Sequence, residues 1–159
     1  YHEAAEVQAS AQQTRVAAAA LAQLAAAKAS QADEALESAR EREALRQQLR
    51  QAIKAYGQWT RKEVVRAGDH HFGGDSLAAV QDRRQPLEQQ AEQTRRESVR
   101  RRDGVQALSH QLGGEQAAPE VAEALALHAQ VEEALAGRAA AYEAELERQQ
   151  ASDAKCHAF

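Results

Sequence analysis

The hydrophobic residues of this chain recur at helical spacing in three stretches, which two short glycine-rich breaks separate. In the first stretch, side chains suited to a core lie three or four positions apart, at Leu45, Leu49, Ala52, Tyr56 and Trp59. Residues at this spacing share one face of an α-helix. The face contains the only Trp of the chain. We expect Trp59 to be a buried packing anchor, because an indole ring covers a large apolar area.

A weaker pattern precedes that face. Lys28 and Arg42 interrupt it, so residues 1–42 are predicted to be a separate helical segment, either a linker or the last helix of a preceding repeat. A helix of this length needs partner helices, because long isolated helices are unstable in water. Residues at heptad spacing are Val7, Thr14, Leu21, Lys28, Ala35, Arg42, Leu49 and Tyr56, with Ala11, Ala18 and Ala25 alongside.

The two breaks lie at residues 68–75 and 113–119. Asp75 or Ser76 is suited to cap the helix that follows the first break, because a short polar side chain can accept a hydrogen bond from the first helical turn. At the second break, glycine can end one helix and Pro119 can occupy the first turn of the next.

These patterns predict an all-α, elongated three-helix antiparallel coiled-coil bundle over residues 43–152, with helices at about 43–67, 76–112 and 119–152. Short connections between long helices place neighbours antiparallel. Pro86 should either kink the second helix or mark its true start. The predicted core residues are Leu45, Leu49, Tyr56, Trp59, Leu77, Val80, Leu87, Val105, Leu108, Leu125, Leu135, Tyr142 and Leu146.

The composition favours slender helix packing over a deep compact core. Hydrophobic residues make up 43% of the 159 residues, but aromatic residues are only 4% and Ala is abundant. Charged residues of both signs reach 28% with a net charge of −4, which gives no general attraction to nucleic acid or to an anionic membrane. The single Cys excludes an internal disulfide framework and suits a reducing compartment. No apolar run approaches the roughly 20 residues of a membrane span.

The pattern as a whole resembles a spectrin repeat over residues 43–152. The resemblance implies three long helices in a left-handed coiled coil, entered without a break from a preceding helix. Residues 153–159 would begin a following segment; they are similar, at Asp153, Lys155 and Phe159, to the stretch in the α-actinin family that leads into a calmodulin-like domain. The residues that carry the repeat resemblance are Tyr56, Trp59, Glu63, Leu77, Val80, Leu87, Leu125, Leu135, Tyr142 and Leu146.

The resemblance implies a non-catalytic rod or spacer of a cytoplasmic, cytoskeleton-associated protein of the actin-crosslinking type. It would set length and stiffness and mediate self-association or binding to filament proteins. Since the chain begins at Tyr1, not Met, and stops within a helical pattern, we expect it to be a fragment of a longer protein. One alternative is a coiled-coil scaffold of a microtubule or ciliary axoneme assembly. Another is a small helical adaptor that binds a partner helix in a groove.

We predict neither enzyme activity nor a cofactor, because the sequence has no P-loop, zinc-protease, nucleophile-elbow or calcium-loop pattern. Asp69, His70, His71 and Asp75 do offer imidazoles and carboxylates, which are metal ligands. Adjacent His side chains usually diverge, however, and a glycine-rich surface turn accounts for the polarity. We therefore favour a turn over a metal site.

Five Arg residues lie within residues 95–102 and could contact phosphates, an acidic filament surface or anionic lipid. No aromatic residues alternate with them to stack on bases. We favour a solvated or subunit-facing helix surface neutralised by carboxylates at helical spacing. The expected pairs are Glu92 with Arg95 and Arg96, and Glu97 with Arg101.

Two further positions combine polar or reactive groups. His128 lies on the apolar face of the third helix, where we expect a core or boundary histidine that is hydrogen-bonded to a neighbouring helix. Cys156 and His157 are adjacent, but no third group accompanies them near the terminus, so we do not predict a catalytic thiolate.

Overall fold

A computed structural model describes residues 1–72, 76–114 and 118–158. These residues form helices and connecting turns, with no strand among them, so the predicted all-α class is confirmed. Contacts divide the chain into two units, Tyr1–Ala44 and Leu45–Phe159, where the sequence placed a boundary after residue 42. The helices are α1 (His2–Gly68), α2 (Leu77–Asp82), α3 (Arg84–Gln111) and α4 (Ala118–His157).

The first unit is helical from His2 onward, and each of its residues is exposed. Its larger apolar side chains share this exposure; Leu21, for example, is 68% exposed and Leu24 is 58% exposed. The unit therefore has an apolar surface that residues of this chain do not bury.

The second unit is a helical bundle that begins with the last part of α1. Leu49, Tyr56, Thr60 and Ala67 are buried there, at steps of seven, four and seven residues. This spacing keeps one stripe of α1 toward the other helices. Charged residues occupy much of the opposite face.

α3 and α4 run in opposite directions, because their contacts pair in reverse order. Ser98 of α3 meets His128 of α4, and Gln90 meets Arg138. Arg84, near the start of α3, meets Glu143. Arginine and polar side chains thus accompany the apolar contacts along this pair of helices.

The second predicted helix is divided at Arg83, so the prediction of one helix over residues 76–112 is wrong. Ser76 caps α2 by accepting a hydrogen bond from the Ala79 amide at 3.3 Å. Pro86 lies in the first turn of α3, where its missing N–H is tolerated but where it cannot donate to the Asp82 carbonyl four residues earlier. The chain makes a turn at Arg83, whose amide donates to the Val80 carbonyl at 3.2 Å, three residues earlier. Of the two expectations for Pro86, it is the later helix start that holds.

Two glycines end α3 in a Schellman motif. Gly113 and Gly114 have φ values of +82° and +77°. Their amides donate to the carbonyls of His110 and Ser109, both at 3.1 Å. Glycine adopts this left-handed backbone without a steric cost, and the motif satisfies carbonyl groups at the helix end.

α4 begins at Ala118, with Pro119 in its first turn as predicted. It continues to His157, past the predicted end at about residue 152. That residues 153–159 begin a following segment stays a prediction. None of the helices in the described ranges combines the length and apolar character that crossing a membrane requires.

The core of the bundle contains two groups of buried residues. The first group is Leu49, Tyr56, Val105, Val121 and Ala124. The second group is Phe72, Val80, Tyr142 and Leu146. In the second group, the Tyr142 hydroxyl donates to the Val80 carbonyl at 2.6 Å, which ties α4 to α2.

The predicted core residues divide into two classes of burial. Phe72, which is not among the predicted core residues, is only 8% exposed. The fully buried predictions are Leu49, Tyr56, Val80, Val105, Leu135, Tyr142 and Leu146. The half-buried ones are Leu45, Trp59, Leu77, Leu87, Leu108 and Leu125.

Candidate functional site

Three polar side chains form a continuous hydrogen-bonded row across the bundle, which we call the Tyr–Ser–His row. The Tyr56 hydroxyl of α1 lies 2.7 Å from Ser98 Oγ of α3. Ser98 Oγ lies 2.9 Å from His128 Nδ1 of α4. Tyr56 and Ser98 are both 0% exposed, so their hydroxyl groups rely on each other and on His128 for hydrogen bonds.

The row continues to the surface through two charged residues. His128 Nε2 lies 3.6 Å from Glu132 Oε1, one turn further along α4. Arg95 of α3 donates from Nε to the other oxygen of that carboxylate at 3.2 Å. The hydrogen bond that we expected from His128 to a neighbouring helix is therefore present, and its partner is Ser98.

Ser98 and His128 have the residue types of a nucleophile and its base. The environment does not suit that role, because the Ser98 side chain is fully buried. A substrate carbonyl has no route to Ser98 Oγ in this conformation. The arrangement instead suits fixing the position of three helices relative to one another, since misaligned helices would leave buried hydroxyl groups without partners.

Burial raises the pKa of the Tyr56 phenol. Its hydrogen bond with Ser98 and the positive charges of Arg101 and Arg102 act in the opposite direction, but they do not offset the loss of water. The phenol therefore remains neutral at physiological pH and can serve as a hydrogen-bond donor in the Tyr–Ser–His row.

Trp59, the predicted packing anchor, lies at the edge of the core. It is half-buried and packs against the first core group. The centroid of the Trp59 ring lies 6.2 Å from the centroid of the Tyr56 ring and 5.4 Å from the guanidinium carbon of Arg101. A large ring and an arginine that covers it fit a core boundary, whereas the smaller Tyr56 ring fills the interior.

The arginines at residues 95–102 all have carboxylate neighbours. Arg96 pairs with Glu92 at 3.0 Å, as expected. Arg95 pairs with Glu132 of α4 and not with Glu92. The remaining contacts join Arg100 and Arg101 to Glu97 at 2.7 and 2.9 Å, and Arg102 to Asp103 at 3.5 Å.

These pairs reduce the free positive charge of the run. The hydrogen bond from Arg100 lowers the pKa of Glu97, which keeps that carboxylate ionised between two guanidinium groups. A surface whose cations are already paired with carboxylates attracts a phosphate backbone less strongly. The run therefore has the character of a paired helix surface.

His70 and His71, in the first glycine-rich break, contact different partners. His70 Nδ1 is 2.7 Å from the Ala67 carbonyl, and the His70 ring stacks on Phe72 at 4.9 Å. His71 is exposed, with Nε2 3.9 Å from Asp69 Oδ1. Asp75, the fourth group of this predicted cluster, lies outside the described residues.

Near the end of α4, Cys156 is exposed and free of a disulfide. The neighbouring His157 places Nε2 3.5 Å from Asp153 Oδ2, one turn earlier on the helix. His157 thus has a carboxylate partner of its own on the helix surface.

Two residues of the bundle were not singled out from the sequence. Ser98 lies within the second predicted helix, and its hydrogen-bond partners Tyr56 and His128 belong to the other two predicted helices. Arg138 is 8% exposed although it is charged. Nothing near Arg138 in the sequence marks it, because its hydrogen-bond partners are Gln90 and Leu87 on another helix.

A scan against protein-family models and searches of the curated proteins and of the solved structures returned no match to this chain. The resemblance to spectrin repeats accordingly stays a prediction. A proposal for the function depends on the contacts of the chain's own side chains.

Proposed function

We propose that this chain is a non-catalytic rod or spacer segment of a cytoskeletal protein, built around a spectrin-type three-helix coiled coil. The observation that supports it best is the Tyr–Ser–His row. It joins α1, α3 and α4 through hydrogen bonds at 2.7 and 2.9 Å in the closed interior of the bundle. A spacer needs such fixed alignment of its helices, and it does not need an open catalytic cleft.

The order of contacts also supports this proposal. Leu49 of α1 belongs to the same core group as Val121, near the start of α4, and Phe72 after α1 belongs with Tyr142 further along α4. α3 runs opposite to α4. If α2 and α3 count as one interrupted helix, this order of contacts supports the proposed up-down-up arrangement of a spectrin-type repeat.

In this proposal, residues 1–44 are the end of a preceding repeat or an interface for another chain. α1 has no break between the two units, and the apolar residues of the first unit are exposed. An exposed helix of this kind gains stability from partner helices. The same observation favours the second candidate, a scaffold whose helices pack on other chains of a filament assembly.

The first experiment compares the full chain with residues 45–159 alone. We expect the shorter chain to remain helical by circular dichroism and to unfold cooperatively on heating, because the core groups and the Tyr–Ser–His row lie within it. The matched control is residues 1–44 alone, which should show little cooperative unfolding. A shorter chain that melts without a cooperative transition would argue against an autonomous repeat.

The second experiment separates the filament systems. Cosedimentation of the full chain with actin filaments or with microtubules, and of residues 45–159 in parallel, tests both partners. Binding to microtubules that is lost with residues 1–44 would favour the axonemal scaffold. Sedimentation velocity of the two chains adds the oligomeric state, since a self-associating spacer should lose its dimer when its interface is removed.

A further inference from the structure

Arg138 is a buried cation without a carboxylate partner. Its guanidinium donates to Gln90 Oε1 at 3.2 Å and to the Leu87 carbonyl at 3.4 Å, and both acceptors are neutral. None of the carboxylates in the described part of the chain forms an ion pair with it. Burying a charge that has no opposite charge beside it is costly.

Two neighbouring charges act on Arg138 in opposite directions. Burial lowers the pKa of Arg138, the negative charge of Glu63 raises it, and the positive charge of Arg95 lowers it. Glu63 is itself ion-paired with Arg66 at 3.3 Å. A guanidinium has five N–H donors. Among the described residues, Arg138 donates two hydrogen bonds, to Gln90 and to the Leu87 carbonyl, so the guanidinium retains N–H donors that can bind an anion.

Arg138 also lines a cavity of about 160 Å³ between α3 and α4. The charged residues that line the cavity are Arg84, Arg95, Arg138, Glu88 and Glu143. Three guanidinium groups against two carboxylates leave an excess of one positive charge. Leu87, Leu135 and Tyr142 supply apolar parts of the wall.

The cavity carboxylates are already engaged by another arginine. Arg84 Nη1 lies 2.8 Å from Glu143 and 3.9 Å from Glu88. Arg95 is paired with Glu132, outside the cavity. Arg138 is therefore the arginine of this cavity that has no ion pair among the described residues.

We propose that this cavity binds a small oxyanion, such as a phosphate or a carboxylate, through Arg138. The planar guanidinium is suited to two parallel hydrogen bonds with such a group. Arg84 and Arg95 also line the cavity and add positive potential to it. The anion would replace the missing countercharge and stabilise the packing of α3 on α4.

The test measures the melting temperature of the full chain with increasing inorganic phosphate, against sodium chloride of equal ionic strength. We expect a saturable rise in phosphate that chloride does not reproduce, because a ligand that binds the folded state stabilises it by mass action. Arg138→Met, which retains an unbranched apolar stem, should abolish the rise. Arg96→Met, on the surface of α3, is the matched control and should retain it.

A second variant keeps the test decisive if Arg138→Met folds poorly. Gln90→Glu places a carboxylate beside Arg138 from within the chain. We expect Gln90→Glu to melt at a higher temperature than the unaltered chain without phosphate and to lose at least nine-tenths of the phosphate response. Acetate in place of phosphate identifies whether a carboxylate is also accepted.

The absence of a phosphate-specific rise in the unaltered chain, with acetate equally inactive, would overturn the proposal. An undiminished rise in Gln90→Glu would also overturn it, because the response would then come from another surface. Both readouts are independent of filament binding, so they do not depend on the proposed spacer role.

Discussion

The hydroxyl groups of Tyr56 and Ser98 meet at 2.7 Å in a part of the core where both side chains are fully buried. At the scale of single residues, this contact distinguishes the bundle from one held by apolar packing alone. Removing one member of a buried pair leaves the other without a partner, which costs more than the net value of the hydrogen bond. His128 of α4 is hydrogen-bonded to Ser98, so it too would lose a partner if the Ser98 hydroxyl were removed.

Ser98→Ala should destabilise the folded chain by about 1–3 kcal/mol, because the Tyr56 hydroxyl and His128 Nδ1 would each lose their partner. Tyr56→Phe combined with Ser98→Ala should cost less than the sum of the single changes. The measurement is a double-mutant cycle from urea unfolding. Ser38→Ala, at an exposed position, should be nearly neutral. Additive effects in the cycle would show that the two hydroxyl groups are not coupled.

The hydroxyl group of Thr60, unlike those of Tyr56 and Ser98, is not part of a buried hydrogen-bonded pair. Thr60 Oγ1 is buried and has no hydrogen-bond partner among the described residues, and the residue is 0% exposed. Thr60→Val retains the shape and removes the hydroxyl, so we expect it to raise the free energy of unfolding by about 1 kcal/mol. Urea unfolding measures the change. A loss of stability would mean that the hydroxyl is hydrogen-bonded in solution.

The raised pKa of Tyr56 predicts a decline in stability at alkaline pH. The folded state holds the phenol proton more tightly than the unfolded state, whose tyrosines titrate near pH 10. This contribution is fully present below about pH 10 and is lost as the pH rises through the higher folded-state value. Urea unfolding as a function of pH measures it. Tyr56→Phe should show a shallower alkaline decline, and an identical decline would contradict the assignment to Tyr56.

At the scale of helices, backbone chemistry determines where each element begins and ends. Pro86 and the turn at Arg83 separate α2 from α3, and the Ser76 hydroxyl begins α2. Gly113 and Gly114 end α3 with positive φ values. Each boundary therefore corresponds to a residue type with a specific backbone preference.

Replacing glycine by alanine at two positions should change the free energy of unfolding in opposite directions. Gly113→Ala should destabilise the chain by about 1 kcal/mol, because an L side chain is strained at φ +82°. Gly137→Ala lies within α4, where an added Cβ meets no atom within 4 Å, and should stabilise by about 0.5–1 kcal/mol. Thermal unfolding of the two variants measures both. Equal signs would contradict the Schellman assignment.

The helices and much of the core could be predicted because local spacing encodes them. Leu49 and Tyr56, for example, lie seven residues apart, which places both on one face of α1. Phe72 could not be predicted in this way, since it follows α1 in the glycine-rich break and is buried by Tyr142, whose ring centroid lies 5.5 Å away. The partners of Arg138 are likewise distant in sequence, so its burial depends on how α3 and α4 meet.

At the scale of the whole molecule, the two units differ in how their side chains are buried. Residues 1–44 are exposed throughout, whereas the core groups lie from Leu49 onward. Local unfolding is easiest where few apolar contacts oppose it. We therefore expect the two units to differ in their resistance to a protease.

Limited digestion with trypsin should cut first after Arg15, Lys28, Arg40 or Arg42, all of which are exposed and outside the bundle. A resistant fragment should remain that begins near residue 43 and retains the arginines of α3. Mass spectrometry of the digest identifies its ends. Early cleavage within residues 95–102 would contradict a stable bundle.

The position of Trp59 gives the molecule an optical reporter of its own assembly. It is the only indole in the chain, and it contacts Arg101 of α3 from α1. Its emission therefore comes from one place in the sequence, where α1 packs on the other helices. The Tyr56 ring, 6.2 Å away, is close enough to transfer its excitation to the indole. When α1 leaves α3, the indole becomes hydrated and its fluorescence should shift to longer wavelength, so the docking of these helices can be followed in real time without an added dye.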